Sequence, residues 1–149
     1  MTTNADLYAQ DFFRWTETTA ALIRAGKWQE IDPESVAEEL ESLGKQDRRE
    51  VESRIKALLV ELLKWWAQPE ERCGRWASAI RQQRYEVELV LRDSLSLQAQ
   101  MPAWFTEAYP TAREKALEDT GLYTLPETCP FTPAQILDTS FWPEGAILA

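Results

Sequence analysis

The longest apolar pattern in the chain runs from Val51 to Trp66 and recurs at helical spacing. Its apolar positions extend past a single stripe, and its polar positions form one narrow ridge. The apolar residues are Val51, Ile55, Leu58, Leu59, Val60, Leu62, Leu63, Trp65 and Trp66. A helix with so little polar surface must be covered on more than one side. We therefore predict that this segment is the central helix of an all-α bundle.

The remaining periodicity predicts four further main helices around the central one. Together, the five predicted helices span residues 6–25, 33–43, 51–66, 75–92 and 102–119. Asp6 is predicted to cap the first helix, and Asp32 followed by Pro33 opens the second. Gly44 either separates the second helix from the central one or is a weak point within one long helix.

Three further features concern faces and breaks in these helices. Val36, Leu40 and Leu43 share one face of the second helix, so we expect them to form a buried stripe. Residues 94–100 are predicted to form a loop.

Pro110 lies inside the fifth helix. A kink or a break is expected there because proline lacks the amide hydrogen that the turn requires.

The composition changes after Gly121 to a proline-rich tail. Thr132 and Gln135 form a capping box that predicts one short helix, with Phe131 and Ile136 as its hydrophobic staple. The tail is too apolar for a disordered terminus, so we expect it to pack on the bundle. Residues 1–149 then form a single all-helical domain of five main helices, a short C-terminal helix and a packed tail.

Composition excludes several classes of protein. The 149 residues include no His and two Cys 56 positions apart, so the usual Cys/His zinc patterns and Ser–His–Asp chemistry are absent. No apolar run reaches 18 residues, and residues 1–20 lack a signal-peptide pattern. We expect no membrane span, a cytoplasmic location and no cofactor.

The formal net charge is −9, and 11 of the 16 basic residues lie between Lys45 and Arg92. An acidic surface repels phosphate backbones, which disfavours nucleic-acid binding, and it attracts a more basic partner. Arg81, Tyr85 and Arg92 share an outward face of the fourth helix and form a candidate basic patch. Nearby Glu86 and Glu88 dilute this patch.

Carboxylates supply the metal-site candidates. Glu38, Glu39 and Glu41 cluster on the second helix, and Glu61 lies on the central one. Helical spacing places Glu38 and Glu41 opposite the apolar stripe and leaves Glu39 at its edge. A single inward carboxylate does not make a metal site, so Glu38, Glu39 and Glu61 remain weak candidates and a solvated acidic face is the simpler interpretation.

Polar residues on an apolar face supply a second candidate. Gln83 falls within the apolar face of the fourth helix and Arg84 lies at its margin. Buried polar groups need hydrogen-bond partners, and an Arg84–Glu39 pair assisted by Gln83 would satisfy all three residues. This set is either a structural network that fixes the packing of the helices or a polar binding pocket.

Several short motifs carry a resemblance to a known family. They are residues 7–12, 38–44, 62–65, 127–130 and 141–143. In this order they resemble the bacterial family called domain of unknown function 29, which is abundant in cyanobacteria. The resemblance covers nearly the whole chain and implies a small all-helical protein without an assigned activity. The family pattern often has His where this chain has Glu61, so a site that depends on an imidazole there is not expected.

The sequence favours a non-catalytic protein-interaction module, an acidic protein that binds a more basic partner in the manner of an antitoxin or a regulator. The rival classes are a metal-dependent enzyme that uses helix carboxylates and a nucleic-acid-associated protein that uses the arginine-rich fourth helix. The oligomeric state stays open.

Overall fold

The computed structural model describes residues 2–144 of the chain. The helices are α1 (Asn4–Gln10), α2 (Phe12–Arg24), α3 (Pro33–Ala67), α4 (Gly74–Asp93), α5 (Met101–Thr120) and α6 (Pro133–Leu137). No strand occurs among these residues, so the predicted all-α class is confirmed. The chain divides into two compact units, which we call the N-terminal unit (residues 1–46) and the C-terminal unit (residues 47–149). The boundary falls within α3.

The longest helix, α3, continues through Gly44 without a break over 35 residues. The structure therefore corresponds to the second of the two alternatives for Gly44, a weak point within one long helix. Gly44 is exposed, and an added Cβ there would meet no neighbouring atom. A glycine costs about 1 kcal/mol against alanine in a helix, which neighbouring helix-forming residues can offset.

The prediction of one helix over residues 6–25 is wrong, because the two helices α1 and α2 occupy this segment. Asp11 adopts a non-helical conformation and caps α2, with its carboxylate accepting a hydrogen bond from the backbone N–H of Arg14. The cap of α1 is Thr3, which forms a reciprocal capping box with Asp6. Asp6 is thus the third helical residue of α1 rather than its cap.

The core of the C-terminal unit is built on the second half of α3. Residues Val51, Ile55, Leu58, Leu59, Leu62 and Leu63 have no exposed surface. Side chains of α4, α5 and the tail pack in the same cluster, including Ile80, Val87, Ala112 and Ile136. Within this unit the apolar segment is central, as its pattern predicts. Trp65 and Trp66, by contrast, are only partly buried and pack at the margin of this core.

The fifth helix continues through Pro110, so the predicted break does not occur. Tyr109 and Ala112, on either side of the proline, are buried in the core. Their packing holds both halves of the helix in place although proline in a helix interior costs about 3 kcal/mol. The helix ends at Thr120 and is capped by Gly121, whose φ of 73° is accessible to glycine at little cost. The predicted loop at 94–100 instead contains a 3₁₀ helix over Leu95–Gln100.

The tail packs on the core, as predicted. The short helix α6 begins with the predicted capping box between Thr132 and Gln135. Phe131 and Ile136 are buried, and Phe141 and Trp142 pack against the same cluster. Arg72 holds the end of the tail, because its guanidinium donates to the carbonyl oxygens of Trp65 at 2.7 Å and Pro143 at 3.1 Å.

Candidate interaction groove

One polar side chain fixes the three segments of the N-terminal unit. The Asn4 carbonyl oxygen accepts hydrogen bonds from the Trp15 indole N–H at 3.3 Å and from the backbone N–H of Asp32 at 2.9 Å. The Asn4 amide nitrogen donates to the Thr19 hydroxyl at 2.9 Å. Asn4 thus joins α1 to α2 and to the residue that precedes α3. Trp15 and Thr19 are buried, which stiffens this arrangement.

The N-terminal unit contains a groove of about 520 Å³ between α2 and the first part of α3. Its α2 wall consists of Phe12, Trp15, Thr16, Thr19, Ala20 and Ile23, and its α3 wall of Val36, Glu39, Leu40 and Leu43. The residues of each wall recur in the i, i+3, i+4, i+7 pattern, so each wall is one continuous helix face. We call this feature the apolar groove.

The apolar groove leaves large hydrophobic side chains in contact with solvent. The exposed fraction is 50% for Phe12, 37% for Ile23, 64% for Leu40 and 57% for Leu43. The prediction that Leu40 and Leu43 belong to a buried stripe is therefore wrong. The helical period places them correctly on one face with Val36, but this face lines an open groove. Contiguous exposed apolar surface of this kind marks an interaction site more often than scattered single residues do.

Glu39 is the charged residue among the described residues that line the groove. One of its carboxylate oxygens accepts a hydrogen bond of 2.5 Å from the Tyr8 hydroxyl. This bond, together with desolvation and the nearby negative charge, raises the pKa of Tyr8 to about 12. Tyr8 therefore keeps its proton and remains a donor to Glu39 at neutral pH.

The N-terminal unit carries more than half of the net negative charge of the chain. Residues 1–46 contain 9 acidic and 4 basic residues, a net charge of −5 within the total of −9. A net negative charge of this kind attracts cations and repels anions.

The predicted polar set of Glu39, Gln83 and Arg84 has other hydrogen-bond partners in the structure. Glu39 accepts from Tyr8 within the N-terminal unit. Gln83 accepts from the Arg54 guanidinium at 3.4 Å within the C-terminal unit. Arg84 donates from Nε to the carbonyl of Ile136 at 2.8 Å and from Nη2 to that of Gln135 at 3.3 Å. Each of the three residues thus has a hydrogen-bond partner within its own unit.

Arg84 is a structural cation in the C-terminal unit. It is 2% exposed, and burial lowers the pKa of its guanidinium, while the Asp138 carboxylate acts in the opposite direction. Its Cζ atom also lies 5.7 Å from the centre of the Trp142 ring, a cation–π distance. Arg84 thereby joins α4 to α6 and to the end of the tail.

We expect Arg84→Met to lower the free energy of unfolding by about 1.5–3 kcal/mol, because it leaves the carbonyl oxygens of Ile136 and Gln135 without the donor that they have in the native chain. Urea unfolding followed by tryptophan fluorescence measures this. Arg92→Met is the matched control on the same helix, since Arg92 is exposed and bonded to the exposed Glu88. A surface substitution of this kind changes stability by about 0.5 kcal/mol or less. Equal losses in the two variants would contradict the structural role of Arg84.

The carboxylates considered for a metal occupy separate settings. Glu39 is bonded to Tyr8, Glu61 pairs with Lys64 at 3.4 Å, and Glu38 is exposed. Over residues 2–144, no group of three or more Asp, Glu or Cys side chains could hold a metal ion.

Two of the three residues of the candidate basic patch already have partners. Arg92 forms an ion pair with Glu88 at 2.9 Å, and the Cζ atom of Arg81 lies 5.1 Å from the centre of the Trp142 ring. Tyr85 is exposed. Arg81 therefore helps to hold the tail and has a structural role.

A larger cleft, of about 600 Å³, lies in the C-terminal unit beside α6. Arg84 forms part of its wall, together with the exposed Glu88–Arg92 pair. The Nη1 atom of Arg84 has no hydrogen-bond partner within residues 2–144, but it is buried beyond the reach of solvent. The cleft therefore does not present this cation to a ligand. The apolar groove is the better candidate site.

Sequence reasoning identified Glu39 but missed the other groove residues as surface features. The sequence predicts Leu40 and Leu43 in a buried stripe, and it does not identify Phe12 and Ile23 as exposed residues. The available signal was the pair of complete apolar stripes on two successive helices of a short, acidic segment.

Comparison with known proteins identifies a family. A family model described as "Domain of unknown function DUF29" matches residues 7–142. No curated protein and no solved structure matches the chain. No helix in the described part of the chain has the length and apolar character needed to cross a membrane.

Proposed function

The chain belongs to the family described as domain of unknown function DUF29, and we propose that it acts as a non-catalytic protein-interaction module. Its docking site is the apolar groove of the N-terminal unit. The partner is a more basic protein that the module binds and restrains, in the manner of an antitoxin or a regulator.

The exposure of four large apolar side chains in one groove carries this proposal. Fully burying such a side chain contributes roughly 1.5–3 kcal/mol relative to leaving it exposed. Phe12, Ile23, Leu40 and Leu43 are each about half exposed. A partner that covers all four therefore gains several kcal/mol, which offsets a substantial part of the translational and rotational freedom lost on association.

The dimensions of the groove favour a helix as the docked element. Its α2 wall extends from Phe12 to Ile23, which corresponds to about 16 Å of helix at 1.5 Å per residue. A partner helix of about three turns spans this length, with apolar residues at spacings of three and four. Helix-in-groove recognition uses this pattern of anchors.

Photo-crosslinking tests whether the groove is the docking site. A photoreactive amino acid at Leu40 in the full chain, expressed in its own host cells, should give a discrete protein adduct whose crosslink maps to an amphipathic helix. The same amino acid at Tyr123 is the control, because Tyr123 is fully exposed in the C-terminal unit and lies outside the groove.

A peptide that contains the mapped helix should then bind the purified chain. We expect Leu43→Asp to weaken this binding at least 10-fold, since it places a charge on the apolar wall. The same variant should change the free energy of unfolding by about 0.5 kcal/mol or less, because Leu43 is largely exposed. Identical adducts from positions 40 and 123, or unchanged binding in Leu43→Asp, would contradict the proposal.

A further inference from the structure

We infer that the apolar groove selects an amphipathic helix with one basic edge, that this edge lies along α3, and that Glu39 determines this preference. This inference rests on the proposed function and specifies the partner that the groove accepts.

The two helices that contribute the walls of the groove differ in charge. The first turns of α3, residues 33–44, carry Glu34, Glu38, Glu39 and Glu41 and no basic residue. Helix α2 carries one carboxylate, Glu17, and two basic residues, Arg14 and Arg24. The net charge is therefore −4 over the first turns of α3 and +1 over α2, and Glu39 is the one of these charges that lies in the groove lining. A docked helix with lysine or arginine on one edge has favourable electrostatics only when this edge faces α3.

Glu39 is the carboxylate positioned to contact the basic edge of the docked helix. It is half-buried in the α3 wall beside Val36, Leu40 and Leu43, whereas Glu34, Glu38 and Glu41 are exposed. A docked helix would cover Glu39 and exclude water from it. A charge left without a partner in such a place opposes binding, so a cation at the facing position of the partner is selected.

Tyr8 prepares the Glu39 carboxylate for this contact. The Tyr8 hydroxyl donates to Oε1 of Glu39, and an ionised carboxylate accepts further hydrogen bonds on both of its oxygens. The bond to Tyr8 fixes the orientation of the carboxylate before a partner arrives, which reduces the ordering cost of binding. Tyr8 is thus a positioning residue, and Glu39 is the residue that contacts the partner.

Selection from a peptide library tests the inference. The library displays 16-residue helical peptides with apolar residues at spacings of three and four and with both edges randomised among Lys, Arg, Gln and Glu. It is selected on the full chain after removal of peptides that bind the Leu40→Asp, Leu43→Asp double variant. We expect the retained peptides to carry Lys or Arg on one edge and no such excess on the other.

Two site variants then assign the preference to Glu39. At low salt, Glu39→Gln should weaken binding of a retained basic-edge peptide at least 5-fold and leave binding of its Gln-edge counterpart unchanged. Glu17→Gln is the matched control, because it removes the same charge from α2 at a position outside the groove lining. It should change either affinity less than 2-fold. Tyr8→Phe should produce a smaller loss in the same direction as Glu39→Gln.

The outcomes separate this inference from the proposed function. Groove-dependent peptides without a basic excess, or an equal effect of Glu39→Gln on both peptides, would overturn the charge preference and leave the docking site in place. A library that yields no groove-dependent peptide would overturn both.

Discussion

Removing the residues after Thr128 is expected to destabilise the whole C-terminal unit by about 3–6 kcal/mol or to unfold it. Phe131 and Ile136 are buried in the core of this unit, and burying each such side chain contributes roughly 1.5–3 kcal/mol. The truncation also removes the carbonyl oxygens that accept from the buried Arg84 guanidinium. Domains of this size have a total stability of about 5–15 kcal/mol, so the loss is a large part of it.

Circular dichroism at 222 nm during thermal and urea unfolding measures this effect. Tyr123→Ala in the full chain is the matched control, because Tyr123 precedes the deleted part and is fully exposed. It should leave the unfolding midpoint unchanged. A truncated chain that melts at the temperature of the full chain would show that the tail adds nothing to the core.

The second large effect is expected for Leu62→Ala, which should lower the free energy of unfolding by about 2–5 kcal/mol. Leu62 has no exposed surface and lies in the cluster that joins α3 to α4, α5 and the tail. The substitution loses the transfer free energy of the side chain and leaves a cavity in its place.

Leu95→Ala provides the comparison, since it makes the same chemical change where 69% of the side chain is exposed. Its effect should be about 0.5 kcal/mol or less. Urea unfolding followed by tryptophan fluorescence suits both variants, because five of the seven Trp residues belong to the C-terminal unit. Losses of similar size at the two positions would refute the central place of α3 in this core.

Local signals predicted most of the helices and the core of the C-terminal unit. The period of residues 51–63 is regular enough to identify a helix covered on several sides, and these apolar residues are buried. The capping box at Thr132 and the glycine at 121 likewise mark the ends of α6 and α5, because caps act within one turn of a helix. The break at Asp11 was missed, since the apolar period continues across it while the Asp11 side chain starts a new helix.

The groove and the partners of the buried polar groups could not be predicted in the same way. Periodicity shows that Val36, Leu40 and Leu43 share a face, but it does not show what lies opposite to this face. The sequence also places Arg84 at the margin of an apolar face, where it needs hydrogen-bond acceptors. These acceptors turned out to be backbone carbonyls about 50 positions later, and every residue carries such a carbonyl.

The sequence by itself thus determined the helical class, most helix limits and the identity of the core helix, because these depend on interactions within a few residues. Only the tertiary structure decided that Leu40 and Leu43 face an open groove, that Tyr8 bonds Glu39, and that Arg84 holds the tail. The physical reason is that exposure and hydrogen-bond pairing depend on which surfaces meet. The hydrogen bonds of Tyr8 and Arg84 join residues that lie 31 or more positions apart in the chain. No local pattern of the sequence encodes such pairs.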